Sequence, residues 1–264
     1  MSISTRTRSK LRTSSKPQKK LEEEFPEVSE IFNVKEESQE EFLKWLNKNK
    51  NRKKSIYIRS ESLTIKGLIK LQEKDSWLSS DQINMYLTHL NTKFEHIHSF
   101  TSYFYMRLAM GGYSSVANWT KKTEIYKKET IFVPINITDD HWILVAIFIE
   151  EPRRIVIIDS FGSVTDECAT EIEENLITWL NKEYHKVSNE NNEVGNPINA
   201  TLDLMFDKEE APQVDGYSCG VFICMFARLI AENIEMDKIK NIVKFEAVEK
   251  FRQVMCIELW NYAE

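Results

Sequence analysis

The sequence lacks the features that mark secreted, zinc-binding and membrane-spanning proteins. Its 264 residues include only four cysteines, and no two of them form a Cys-x-x-Cys pair, so we expect neither a disulfide framework nor a zinc site. No apolar signal segment and no apolar run of membrane-spanning length is present. We also find no internal repeat. Together these absences predict a soluble protein of a reducing, intracellular compartment.

The chain divides into a charged beginning and a longer part of ordinary globular composition. Residues 1–20 contain seven Lys or Arg and no acid, whereas residues 21–41 carry nine glutamates. A weakly hydrophobic stretch with segregated charge favours disorder. We therefore predict a disordered charged extension over residues 1–54 and one folded domain over residues 55–264, which is ample length for a hydrophobic core.

The basic block at residues 1–20 allows several interpretations. It fits a nuclear-import segment, an arm that binds a polyanion, or a merely solvated tail. An organelle transit peptide is also Arg-rich, Ser-rich and poor in acids, but this block lacks an apolar face. The net charge of −6 argues against generic nucleic-acid binding by the folded domain.

The segment 213–222 contains a candidate nucleophile, Cys219, in the sequence QVDGYSCGVF. The apolar residues that follow predict a buried helix over residues 220–234, and Gly216 supplies a turn before it. The sulfur would then lie in the first turn of that helix, where the helix dipole favours negative charge. Since a thiol with a pKa near about 8.5 is mostly protonated, a nucleophilic cysteine needs such an environment or an adjacent imidazole.

His141 and Asp159 are the candidate partners of this thiol. His141 precedes the continuous apolar run 142–149, and Asp159 ends the next run, residues 154–159. Both runs predict strands of a buried sheet. Consecutive strands are often neighbours, and in an antiparallel pair the start of one lies beside the end of the next. In that arrangement Asp159 would hold the imidazole in the useful tautomer, and His141 would take the thiol proton.

Gln213 completes the candidate set. It precedes Cys219 by six positions, so its amide could donate to the developing oxyanion together with the backbone N–H of Cys219. A lone cysteine on an apolar helix is usually a core residue, and we interpret the other three in that way: Cys168, Cys224 and Cys256. The ordered combination of His, Asp, Gln and Cys favours a catalytic site over this structural alternative.

Three further predictions concern elements around these residues. A capped helix is predicted over residues 79–90, and another where apolar residues recur every four positions between Ile172 and Tyr184. The polar run 186–200 is predicted to be a surface loop. A final amphipathic helix is predicted over residues 238–262.

Six segments of the sequence resemble the signature blocks of the ubiquitin-like-protein proteases, in the SUMO-specific (sentrin) branch of cysteine peptidases. The segments are residues 77–87 (WLSSDQINMYL), 100–105 (FTSYFY), 132–136 (FVPIN), 140–142 (DHW), 158–160 (IDS) and 213–222. They occur in that family's order, and the resemblance covers about residues 55–262. It implies a papain-like α/β (α+β) fold with a mixed central sheet flanked by helices and the nucleophile at a helix N-terminus.

The same resemblance implies the roles of individual residues. His141, Asp159, Cys219 and Gln213 would be catalytic, with no metal and no organic cofactor. Family members thread the Gly-Gly tail of the modifier through a narrow tunnel, and Trp77 and Trp142 would roof it and bind the substrate. Glycine suits such a tunnel, because only a chain without side chains passes flat between two aromatic faces.

One departure from the family pattern concerns the choice of modifier. The family commonly has an acid after Trp-Leu-Asn, whereas this chain has Ser80 there and Asp81 one place later. Asp81 is therefore our candidate for an acidic substrate-binding residue. NEDD8 and ubiquitin stay open as alternative modifiers.

These observations predict a cysteine protease that cleaves after the C-terminal Gly-Gly of SUMO. It would release SUMO from substrate lysines, with maturation of the SUMO precursor as a further activity, and it would be a monomer located in the nucleus rather than the cytoplasm. Two alternatives are less favoured. The tunnel tryptophans argue against a same-clan acetyltransferase, and the complete catalytic set argues against an inactive ubiquitin-like-binding module.

Overall fold

The helices and strands of the protein are given by a computed structural model that describes residues 32–191 and 199–263. The basic block at residues 1–20 lies outside the described residues. The helices are α1 (Glu36–Asn49), α2 (Ile65–Lys70), α3 (Ser80–Lys93), α4 (Tyr103–Gly111), α5 (Asp166–Asn191), α6 (Cys219–Ala231), α7 (Met236–Ile242) and α8 (Val248–Trp260). The strands are β1 (Ser55–Ile58), β2 (Glu61–Thr64), β3 (Ile97–Ser99), β4 (Thr130–Ile137), β5 (His141–Phe148), β6 (Arg154–Ile158) and β7 (Thr201–Leu204).

The central feature is a five-stranded mixed sheet in the order β3-β4-β5-β6-β7. The β4–β5 and β5–β6 pairs are antiparallel, whereas β3–β4 and β6–β7 are parallel. The strands β1 and β2 form a separate antiparallel hairpin. The mixed central sheet flanked by helices confirms the predicted fold class.

The sheet buries a hydrophobic layer on each face, as its continuous apolar strands require. Alternate residues of β5 enter different layers, so that Trp142 and Leu144 pack with α3, α6 and α8, whereas Ile143 and Val145 pack with α4 and α5. The helix that carries Cys219 therefore lies on the same face of the sheet as Trp142. Every residue of α6 is buried, which matches its nearly uniform apolar sequence.

The ends of α3 and α6 follow from local sequence signals. Ser79 and Gln82 form a capping box at the start of α3, with each side chain bonded to the backbone of the other. The helix α6 ends three residues earlier than predicted, because Asn233 adopts a left-handed conformation with φ of 58°. The amides of Asn233 and Ile234 then bond back to the carbonyls of Ile230 and Leu229, which is the Schellman arrangement that closes a helix.

Two other elements differ from their predicted bounds. The predicted final helix is interrupted, because Val243 and Lys244 are extended between α7 and α8 and Val243 enters the core. The predicted loop 186–200 begins later than expected, since α5 continues to Asn191. Residues 192–198 lie outside the described residues.

A helix also lies within the segment 1–54, which we predicted to be disordered throughout. This is α1, whose Phe42 is buried and whose ring lies 5.7 Å from that of Trp260 in α8. Ahead of α1, Phe32 is buried against Phe251 with ring centroids 4.9 Å apart. The difference has a physical cause: the many glutamates make the segment strongly polar in composition, yet a few large apolar side chains suffice to dock it on the core.

Candidate active site

His141 and Asp159 meet at one edge of the sheet. His141 is the first residue of β5, and Asp159 follows the last residue of β6 directly. Because the two strands are antiparallel, with Leu144 opposite Ile158, the start of one lies beside the end of the other. The Nε2 atom of His141 lies 2.7 Å from Oδ1 of Asp159, so the pairing expected from the order of the strands is present.

The carboxylate of Asp159 is buried and held by the turn that follows it. Its oxygens accept hydrogen bonds from the amides of Phe161 at 2.9 Å and Val164 at 2.8 Å, and from the amide and hydroxyl of Ser163. Burial alone would raise the pKa of Asp159, but the hydrogen bonds from His141 and the backbone outweigh it and hold this pKa well below the ordinary value. Asp159 is therefore a fixed anion beside the imidazole.

The turn after Asp159 requires a glycine. Gly162 has φ of 62°, and a Cβ at this position would lie 2.6 Å from the carbonyl oxygen of Asp207. A side chain would thus meet both backbone strain and a collision with neighbouring backbone. The turn can therefore pass this close to Asp207 only because residue 162 has no side chain.

Cys219 is the first residue of α6, and its side chain is buried. Its thiol lies close enough to the His141 ring to act on the pKa of that ring. Burial lowers the pKa of His141, but the hydrogen bond with Asp159 and the interaction with Cys219 outweigh it and raise the pKa to about 9. The ring is thus held in its protonated form at neutral pH, and the sulfur lies in the first turn of α6, at the positive end of the helix dipole.

Gln213 lies in the loop that leads to Cys219, and both ends of its amide have partners. Its oxygen accepts from Ser160 Oγ at 2.8 Å, and its Nε2 donates to the backbone oxygen of Asp215 at 2.9 Å and to Asp215 Oδ1 at 3.2 Å. Ser160 comes directly after Asp159. Two consecutive residues therefore supply the carboxylate that binds His141 and the hydroxyl that binds the side-chain amide of Gln213. Gln213 is buried, which fixes its side chain near the nucleophile loop.

Asp215 organises the four residues before the nucleophile. Its Oδ1 accepts from the amides of Tyr217 at 3.2 Å and Ser218 at 2.9 Å, and its Oδ2 accepts from Ser218 Oγ at 2.6 Å. We did not single out Asp215 from the sequence. An Asp followed by Gly, three residues before a helix cap position, is a signal for such a turn, although the bond to Gln213 depends on the folded loop.

The candidate substrate-binding residues occupy different environments. Trp142 is 4% exposed, and its Nε1 donates to the carbonyl of Leu78 at 3.2 Å, whereas Trp77 is 47% exposed. The bond ties the central strand β5 to the backbone beside Trp77. Asp81 lies in the first turn of α3 and is exposed. The buried Trp142 therefore contacts the backbone of the segment that carries the exposed Trp77.

Phe161 is a further residue at this site, and the sequence did not point to it. Its ring is 46% exposed and its centroid lies 6.1 Å from that of His141. The only sequence signal is an aromatic residue directly after Asp-Ser, and it does not indicate that the ring lies near His141.

Metal-binding clusters and membrane-spanning helices are absent from the described part of the chain. Within residues 32–191 and 199–263, no group of three or more His, Cys, Asp or Glu side chains could hold a metal ion. In the same two ranges, no helix is long and apolar enough to cross a membrane.

A thiol at a helix N-terminus, an imidazole and a buried carboxylate, held by a mixed sheet and one packed helix, define a cysteine peptidase of the α/β class. The comparison with known families gives the same result. The chain belongs to the Ulp1 protease family, since the sequence model of that family's C-terminal catalytic domain matches residues 76–259. The family match confirms the resemblance stated from the sequence segments.

Individual relatives agree with this assignment. Human sentrin-specific protease 2 is 31% identical over 173 residues, which cover 64% of this chain and 28% of that protein. Ubiquitin-like-specific protease 1 of Saccharomyces cerevisiae is 28% identical over 152 residues, which cover 56% of this chain and 22% of that protein. The chain thus matches about a quarter of the length of these curated relatives.

A solved structure shares the fold. The C-terminal Ulp1 protease domain, in complex with Smt3, the yeast ortholog of SUMO, superposes with a TM-score of 0.71 over 87% of this chain and 96% of that chain. The two sequences are 21% identical.

Proposed function

We propose that this protein cleaves after the C-terminal Gly-Gly of SUMO, releasing SUMO from substrate lysines and maturing its precursor. The observation that carries this proposal is the hydrogen bond between His141 and Asp159, with Cys219 at the start of a buried helix and acting on the His141 ring, in a chain of the Ulp1 protease family. Relatives named as sentrin-specific proteases, and a structural neighbour bound to Smt3, support SUMO as the modifier.

In this mechanism Cys219 attacks the carbonyl carbon of the last glycine. The sulfur carries the negative charge while His141 carries the proton, and His141 then donates that proton to the leaving lysine amine. Asp159 keeps the imidazole oriented and stabilises its charged form. Water then hydrolyses the thioester, with His141 taking a proton from it, so that the enzyme returns to its starting state.

Gln213 and the backbone N–H of Cys219 are our proposed donors to the oxyanion. The amide of Gln213 is held between Ser160 and Asp215, which limits its movement while charge develops on the substrate oxygen. Loss of one such donor typically costs about 2.7–4 kcal/mol of transition-state stabilisation.

Trp77, Trp142 and Asp81 are the proposed substrate-binding residues. The exposed ring of Trp77 would cover the Gly-Gly tail, and Trp142 would support it from the sheet through its bond to Leu78. Asp81 is exposed in the first turn of α3, where its carboxylate is available to a basic group of the modifier.

The molecular context is part of the same proposal. We assign residues 55–264 as the catalytic domain, with α1 docked on it, and residues 1–31 as the charged extension. We expect a monomer without a cofactor or a specific nucleic-acid partner, acting inside the cell and in the nucleus, where the basic block at residues 1–20 would serve in import.

The test is turnover of three modifiers. SUMO, NEDD8 and ubiquitin, each joined through its last glycine to the lysine of one common peptide, are incubated with the protein, and the released peptide is quantified. We expect release from SUMO and not from ubiquitin. Preferred release from NEDD8 or ubiquitin would identify that modifier, and not SUMO, as the substrate. Binding of a modifier without release would contradict the enzymatic proposal, and acetyl transfer from acetyl-CoA through Cys219 would support the acetyltransferase instead.

A further inference from the structure

The segment 71–78, which includes Trp77, is held in place by a buried cation, the guanidinium of Arg252. Arg252, on α8, is 1% exposed. Its Nη1 donates to the carbonyl of Leu71 at 3.2 Å, and its Nη2 donates to the carbonyl of Ser76 at 2.6 Å. Because Ser76 directly precedes Trp77, this second bond sets where the backbone of Trp77 begins.

The same guanidinium lies in the electrostatic field of the nucleophile loop. Asp215, which bonds to Gln213 and to the residues before Cys219, interacts favourably with Arg252, and so does Asp75. Burial lowers the pKa of Arg252, and these two carboxylates oppose that effect. The carboxylate that organises the nucleophile loop is therefore within electrostatic reach of the charge that anchors the Trp77 segment.

A second connection joins the two segments directly. The phenol of Tyr217, two residues before the nucleophile, interacts with the carboxylate of Asp75, two residues before Trp77. This interaction is the main cause that raises the pKa of Tyr217 to about 12, so the phenol keeps its proton at neutral pH.

Close packing leaves the Trp77 segment little freedom on its other side. A Cβ added to Gly220 would lie 2.9 Å from Cβ of Leu78, and the carbonyl of Leu78 accepts from Trp142. Backbone atoms on both sides of Trp77 are therefore held, while its indole remains half exposed.

We propose that Arg252 is a positioning residue that holds the Trp77 segment against the nucleophile helix at Gly220, with the interaction between Tyr217 and Asp75 as a second link. This inference rests on the proposed function, because the position of Trp77 relative to Cys219 would decide how the modifier tail reaches the sulfur. Arg252 does not touch the substrate. It acts through the carbonyls of Leu71 and Ser76.

The test compares two variants with matched controls. Arg252→Lys keeps the charge but loses the planar pair of donors, and its control is Glu249→Gln, which removes an exposed ion pair to Lys74 from the same helix and the same segment. Tyr217→Phe removes a single O–H, so it stays informative if Arg252→Lys does not fold. Its control is Tyr57→Phe, at an exposed tyrosine of β1.

The readout separates positioning from general loss of structure. We expect each test variant to raise KM for the modifier substrate about tenfold, which is the effect of losing one hydrogen bond to a charged group. Alkylation of Cys219 by a small haloacetamide should stay within about twofold of the parent rate in Tyr217→Phe, since the histidine and the acid are untouched. Unchanged KM in both variants, with only a smaller active fraction, would overturn the inference.

A separate measurement distinguishes failure of this inference from failure of the proposed function. Acrylamide quenching of Trp77 is obtained as the fluorescence difference between each protein and the same protein with Trp77→Phe. If no modifier is turned over, the proposed function fails, and quenching alone decides the inference. Altered quenching of Trp77 in Tyr217→Phe or Arg252→Lys supports it, and identical quenching in parent and variants contradicts it.

Discussion

At the scale of the residue, the site depends on opposite pKa shifts in two neighbouring side chains. The pKa of Asp159 lies well below its ordinary value, and that of His141 is raised from 6.5 to about 9. Each shift favours the charged form of its own group. The imidazolium can thus stabilise a thiolate at neutral pH and still hold the proton that the leaving amine requires.

We predict that Asp159→Asn lowers kcat/KM for the modifier substrate by about a thousandfold or more, because the imidazole loses its fixed tautomer and its anionic neighbour. The pH at which activity falls on the alkaline side shows in which direction Asp159 shifts the pKa of His141. A raised pKa keeps His141 protonated up to about pH 9, so parent activity should fall only as pH rises through that value, whereas in the variant the fall should begin nearer 6.5, the ordinary pKa of the imidazole.

The control for this prediction is Asp140→Asn, an exposed acid directly before His141. It should leave both the rate and the alkaline limb close to those of the parent. An alkaline limb that stays in place in Asp159→Asn would show that Asp159 does not govern the protonation of His141.

The identities of the catalytic candidates could be predicted from the sequence, but their supporting partners could not. His141, Asp159 and Cys219 each adjoin a strong apolar run, so the ends of strands and helix could be placed from periodicity. Arg252 gave no comparable signal, since a single Arg on an amphipathic helix is normally solvated. The sequence around Asp215 indicates a turn but does not reveal its bond to Gln213. Their contacts arise only when α8 and the loops pack together.

At the scale of the element, the nucleophile helix and the Trp77 segment are in close contact at Gly220. The antiparallel strand pair was predictable because two apolar runs follow each other with a short connection. The close approach of α6 to Leu78 could not be predicted, because the two parts of the chain are far apart in sequence. Their contact also depends on a residue without a side chain, Gly220.

We predict that Gly220→Ala displaces the Trp77 segment, because its Cβ would lie 2.9 Å from Leu78 Cβ and 3.2 Å from Ile83 Cδ1. The free energy of unfolding should fall by about 1–3 kcal/mol, as for other overpacked cores, and KM for the modifier substrate should rise. Chemical denaturation and steady-state kinetics give the two values.

Gly216→Ala is the matched variant, since a Cβ there meets nothing within 4 Å. It should change stability and KM little, although it lies in the nucleophile loop itself. Equal effects of the two substitutions would argue against a close contact at Gly220.

At the scale of the whole molecule, the folded body extends further towards the N-terminus than composition suggested. The fold class followed from the resemblance of six segments to the ubiquitin-like-protein proteases. The docking of α1 did not, because nine glutamates in residues 21–41 obscure the few apolar residues that pack. Phe42 and Trp45 lie near Trp260, so α1 and the last helix share one aromatic cluster.

We predict that Phe42→Ala lowers the free energy of unfolding by about 3–5 kcal/mol, the usual cost of truncating a buried Phe. Leu43→Ala is the control, because this neighbour is 49% exposed, and it should change stability by no more than about 0.5 kcal/mol. Denaturant unfolding of both variants measures the difference. Equal stability of the two would mean that α1 does not belong to the folded body.

The central claim is that Cys219 is the nucleophile of a SUMO-cleaving protease. The most direct measurement exposes the protein to SUMO, NEDD8 and ubiquitin, each carrying a thiol-reactive group at its C-terminus, with Cys219→Ala and Cys224→Ala compared side by side. We predict a covalent adduct with SUMO that is lost in Cys219→Ala, kept in Cys224→Ala and mapped to Cys219 by mass spectrometry. The absence of an adduct with every modifier, or an adduct that survives in Cys219→Ala, would contradict the claim.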